Sequence, residues 1–102
     1  RPDGASINIA EGILRARFRN GVSRMELLEA NKTYDFPIDM TGTANVFLPG
    51  HRIRVLITSS NFPQFDRNPN TGKDLGVSAE TRVARQTIRH SSRIVLPVVE
   101  VP

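Results

Sequence analysis

Apolar and polar residues alternate with a period of two along much of this chain. Over 13–18, Leu14, Ala16 and Phe18 fall on one side, and Arg15 and Arg17 on the other. Over 33–40, Tyr34, Phe36, Ile38 and Met40 oppose Thr33, Asp35 and Asp39. Over 51–59, Ile53, Val55 and Ile57 oppose Arg52 and Arg54. Successive side chains of a strand point to opposite faces, so this pattern predicts strands with one apolar face each. Pro37 lies inside the second run and has no N–H to give a ladder, which predicts an edge or a bulge there. Over 93–99 both faces are apolar, the pattern of a strand covered on both sides. A weaker run over 83–90 sets Ala84, Gln86, Ile88 and His90 on one face. Sustained helical periodicity is absent.

Between these runs lies turn chemistry. Leu48-Pro49-Gly50-His51 puts proline and glycine at the two centres of a type II turn. Asn20-Gly21 is a second turn candidate. Ser23 and Glu26 have capping-box spacing, and Leu27-Leu28 then predicts one helical turn before Asn31. The longest irregular stretch runs over 61–79 and is rich in Asn, Pro, Gly and Asp. Structureless segments of that length are usually functional or docked on something. Short strands separated by turns predict an all-β fold, an antiparallel β-sandwich or jelly roll.

Size holds this to one domain, 1–102. There is no cysteine, hence no disulfide framework and no thiolate chemistry, and the compartment stays open. Charge adds a question. The net charge is +4, and of 14 basic residues all but Lys32 and Lys73 are arginine. A basic balance suits nucleic acid, an anionic surface or an acidic partner domain, and arginine favours planar, bidentate contacts. No apolar stretch has the length of a membrane span. The chain opens Arg1-Pro2-Asp3-Gly4 without methionine, which reads as the interior of a longer polypeptide.

Catalytic patterns are missing. No serine lies in a Gly-x-Ser-x-Gly elbow. The two histidines, His51 and His90, have no spaced acid that would complete a triad, and His90 beside Ser91-Ser92 is a weak signal because neighbours on a strand face opposite ways. Two distant histidines give no zinc spacing. Asp66, Asn68 and Asn70 alternate like the start of a calcium loop, but position six is Thr71 rather than glycine and position twelve is Val77 rather than glutamate, so an Asx-turn network is the better reading. Glycine-rich phosphate loops are absent. The residues therefore predict no catalytic, cofactor-binding or metal-binding site. Nucleic-acid binding is the rival reading: Arg15, Arg17, Arg52 and Arg54 form a basic stripe if their strands are neighbours. Single-strand binders add exposed aromatic platforms, whereas Phe18, Tyr34 and Phe36 fall on the predicted core face.

A longer pattern carries a family resemblance. Thr43-Ala44-Asn45-Val46-Phe47-Leu48-Pro49-Gly50-His51-Arg52-Ile53-Arg54 is followed by Ser59-Ser60-Asn61-Phe62-Pro63-Gln64-Phe65-Asp66-Arg67-Asn68-Pro69-Asn70-Thr71-Gly72. Together with 12–19 and with His90-Ser91-Ser92-Arg93-Ile94-Val95-Leu96-Pro97-Val98, this closely resembles the C-terminal domain of the serine hydrolases that include cocaine esterase, cephalosporin acylase and X-Pro dipeptidyl-peptidase. The resemblance covers essentially the whole chain. It implies a galactose-binding-domain-like jelly roll, here without its first strands, attached to an α/β-hydrolase domain whose Ser-Asp-His triad lies upstream. His90 matches a histidine of the jelly roll and not the triad base. The implied role is non-catalytic: packing on the hydrolase domain and shaping its site or the oligomer. The alternative is a free-standing basic β-domain that binds nucleic acid or an acidic protein. For the docking role the loop over 61–72 offers Phe62 and Phe65 as aromatic anchors, Asp66 as an acceptor that holds the turn, and Arg67 as a reach toward a carboxylate.

Overall fold

The computed structural model describes residues 1–74 and 76–100. They divide into two units, Arg1–Leu56 and Ile57–Pro102. The one regular element among the described residues is a turn of 3-10 helix, Ala16–Phe18. The alternation predicts strand geometry through Phe18. Instead the backbone is extended only up to Arg15, at φ −84° and ψ 113°, and then winds so that Phe18 donates to the Arg15 carbonyl at 2.9 Å.

Arg19 explains why that turn is stable. Its Nη1 donates to the carbonyls of Ala16, at 2.9 Å, and Glu26, at 2.7 Å. Its guanidinium also lies 4.9 Å above the Tyr34 ring. One planar cation thus ties three segments of the first unit. Asn20-Gly21 turns as predicted: Gly21 donates to Phe18 at 3.0 Å and takes φ 119°, a value that favours glycine. Beyond it, Glu26 donates from its backbone to Arg17 at 2.8 Å and brings the chain back.

The capping box does not form. Glu26 binds Arg24 at 2.9 Å and accepts a hydrogen bond from the Asn20 side chain. A charged partner and an amide already in place compete with the Ser23 N–H, so 27–28 stay outside any helix. Tyr34 and Phe36 do share a face, with stacked rings 6.1 Å apart. The Tyr34 hydroxyl accepts the Glu29 N–H at 3.0 Å. At Pro49-Gly50 the type II turn is present, with Gly50 at φ 82° and His51 donating to Leu48 at 3.1 Å.

A second crossing in the first unit joins 11 and 41. Thr41 donates from its backbone to Glu11 at 2.9 Å, and its hydroxyl accepts the Glu11 N–H at 3.3 Å. Gly12 sits against this crossing: a Cβ there would lie 2.5 Å from the Asp39 carbonyl oxygen and 3.0 Å from Ile38 Cγ2. Gly12→Ala is therefore expected to push the two segments apart and to destabilise the first unit by about 1–3 kcal/mol. Loss of protection at the Thr41 amide would report it, and wild-type exchange there would contradict it.

No strand ladder forms among the described residues; isolated bonds such as Glu26 to Arg17 and Thr41 to Glu11 join segments at single points. No described side chain reaches core burial, and Ile53, Val55 and Ile57, the predicted apolar face of 51–59, are each more than half exposed. Alternation marks which face of a strand is apolar, but a ladder also needs a neighbouring edge to pair with.

Candidate docking loop

The second unit opens with a run of local turns. The Thr58 hydroxyl accepts the Ser60 N–H at 3.4 Å. Asn61 accepts the Phe65 N–H at 3.0 Å, and its side chain donates to Gln64 at 3.2 Å. The Phe62–Pro63 peptide is cis. Within this tight coil Phe65 is half-buried while Phe62 is 64% exposed. The Arg67 guanidinium lies 5.6 Å above the Phe62 ring. An exposed cation–π pair of this kind contributes about 0.5–1 kcal/mol, and here it also holds an arginine upright on an aromatic face.

Downstream, Asn68 Oδ1 accepts the Asn70 N–H at 2.9 Å, an Asx turn. Asn70 adopts φ 59°. Its Nδ2 donates to the Arg82 carbonyl at 3.0 Å, and the Arg82 N–H donates to Pro69 at 2.8 Å. Glu80 lies between Lys73 and Arg82, ion-paired to the first and 3.8 Å from the second. The predicted Asx-turn network is thus present, with Asn68 and Asn70 as its members. In this turn the acceptor is the Asn68 amide oxygen, two residues before the N–H it accepts. Asp66 is exposed beside a cleft of about 570 Å³ whose wall it shares with Arg67, Asn68, Asn70 and Ser78.

All four predicted interface residues therefore lie on one coil. The structure brings Phe62 and Arg67 together, leaves Asp66 solvated, and turns Phe65 partly inward. Sequence reasoning missed Arg82 and Glu80, which close the loop from twelve and ten residues beyond Asn70. It also missed Arg19. Their only advance signal was charge near an Asn-rich turn.

The two histidines lie outside this loop. His90 and Ser91 occupy the centre of an exposed turn closed by the Ser92 N–H on Arg89 at 3.0 Å. His51 is half-buried after the Pro49-Gly50 turn. Among the described residues neither imidazole is hydrogen-bonded to a serine hydroxyl or an acid. The stacking surface needed by the nucleic-acid reading is partly taken: the Tyr34 ring carries Arg19 at 4.9 Å and Lys32 Nζ at 5.2 Å.

One carboxylate has a shifted titration. The hydrogen bond from Asn20, aided by the charges of Arg24 and Arg19, holds Glu26 below the ordinary glutamate range, against a smaller opposing effect of desolvation. A depressed pKa means that the Glu26 contribution is complete above the unfolded value and fades as pH falls through the lowered folded value. The Glu26 carboxyl carbon, followed by NMR, should titrate lower in the folded protein than in the denatured chain; coincident titrations of the two states would refute the Asn20–Glu26–Arg24 arrangement.

The family model for the X-Pro dipeptidyl-peptidase C-terminal non-catalytic domain matches residues 1–94. The chain is 44% identical over 106 residues to cocaine esterase of Rhodococcus sp. (strain MB1 Bresler), an alignment covering 97% of this chain and 18% of that protein. The chain thus spans about a fifth of the length of the curated relative it matches. No solved structure matches it.

Proposed function

Because the chain belongs to the X-Pro dipeptidyl-peptidase C-terminal non-catalytic domain family, we propose that it is the accessory β-sandwich part of a serine hydrolase acting on acyl or aminoacyl esters or amides. Its role is to pack against an α/β-hydrolase domain through the loop over 61–72, and so to shape the mouth of that site or the oligomer.

The match of residues 1–94 to a non-catalytic C-terminal domain carries this reading. Large apolar side chains stand exposed, Phe47, Phe62, Ile94 and Leu96 among them, and exposed apolar surface is what a partner domain covers.

The division of labour is testable. The chain alone is expected to turn over neither a nitrophenyl ester nor an X-Pro amide above buffer, since no base-activated nucleophile is assembled in it. The full-length protein should hydrolyse one of these classes. Ester turnover by the chain alone, lost on changing Ser91 or Ser92 to Ala, would defeat the accessory reading.

A further inference from the structure

We propose that Asn70 is a positioning residue for the docking loop, and that its clasp to Arg82 fixes how Phe62, Phe65 and Arg67 are displayed. This rests on the docking reading. Asn70 takes φ 59°, a left-handed state that asparagine tolerates and glycine adopts freely. If the turn were its whole purpose, glycine would serve. The asparagine side chain does something more, because Nδ2 donates to the Arg82 carbonyl, 3.0 Å away and twelve residues on. Arg82 returns a bond from its own N–H to the Pro69 carbonyl at 2.8 Å. Two antiparallel hydrogen bonds thus pin Pro69 and Asn70 to one residue.

The geometry passes this restraint to the docking side chains. Pro69 is two residues from Arg67, so a fixed Pro69 limits the arc through which the Arg67 backbone can move. Arg67 in turn lies 5.6 Å over Phe62, at the exposed end of the coil that Asn61 closes on Phe65. The Lys73–Glu80–Arg82 ion pairs lie at the same closure, but their side chains are all about half exposed or more. Solvent screens such pairs, so the restraint lies chiefly in the neutral bonds of Asn70 and Pro69 to Arg82. An interface loop held before docking loses less conformational freedom on docking.

Asn70→Gly separates the turn from the clasp, because it keeps the left-handed backbone and removes the amide. In the full-length protein it should speed hydrogen exchange at the Arg82 amide by about tenfold, as expected for one lost hydrogen bond. It should also shrink the effect of Phe65→Ala on the thermal midpoint, since the anchor is already displaced when the clasp is open. Unchanged exchange at Arg82, or strictly additive effects of Asn70→Gly and Phe65→Ala, would overturn the proposal. If Phe65→Ala is without effect in the otherwise wild-type protein, the docking reading itself fails and the positioning role with it, whatever the Arg82 amide shows.

Discussion

Expressed alone, this chain is expected to self-associate and to exchange most of its backbone amides with little protection. Large apolar side chains stand exposed along the alternating segments, among them Leu56 at 83% and Val83 at 94%. No ladder among the described residues satisfies the backbone groups beside them. Unpaired strand edges beside apolar surface are templates for pairing with another chain. Light scattering should therefore give a mass above the 11.3 kDa monomer at micromolar concentration. Hydrogen exchange should find protection only at isolated crossings such as Thr41 and Arg82. A monomer with broadly protected amides would show that these residues close a fold unaided, and the proposed dependence on a partner domain would fall.

Within the full-length protein, Phe65→Ala and Arg67→Ala should each lower stability or activity. The lost anchor at Phe65 is expected to cost about 1–3 kcal/mol. Phe65 is half-buried within its own coil, whereas Arg67 stands over the exposed Phe62 ring. The two substitutions therefore probe different depths of the same surface. Arg67→Lys should recover only part of the Arg67→Ala loss, because an ammonium keeps the charge but not the planar fork that stacks on Phe62 and grips a carboxylate. In the chain alone the same changes should have little effect. If Phe65→Ala harms the isolated chain as much as the whole protein, Phe65 serves the chain's own packing and is not a docking anchor.

Local chemistry was legible in the sequence. Pro49-Gly50 specified its type II turn, Asn20-Gly21 its reversal, and Asn68 with Asn70 an Asx turn, because each of these is decided by atoms within three or four residues. The pairing of Tyr34 with Phe36 on one face was also legible, since period two is a property of the backbone itself. The family was readable from the run over 59–72, where turn-formers and aromatics stand in a fixed order.

Tertiary structure decided what depends on which groups meet. The capping-box spacing of Ser23 and Glu26 was a sound local signal, yet Glu26 pairs with Arg24 and Asn20 once the chain folds back at Gly21. Ala16–Phe18 reads as strand from its alternation but winds into a turn because Arg19 reaches both Ala16 and Glu26. The clasp of Asn70 on Arg82 has no sequence signature, because loop closure joins positions that neither composition nor period relates. Alternation assigns a face to each strand without naming its neighbour, so the pairing of strands lies beyond what the sequence pattern by itself determines.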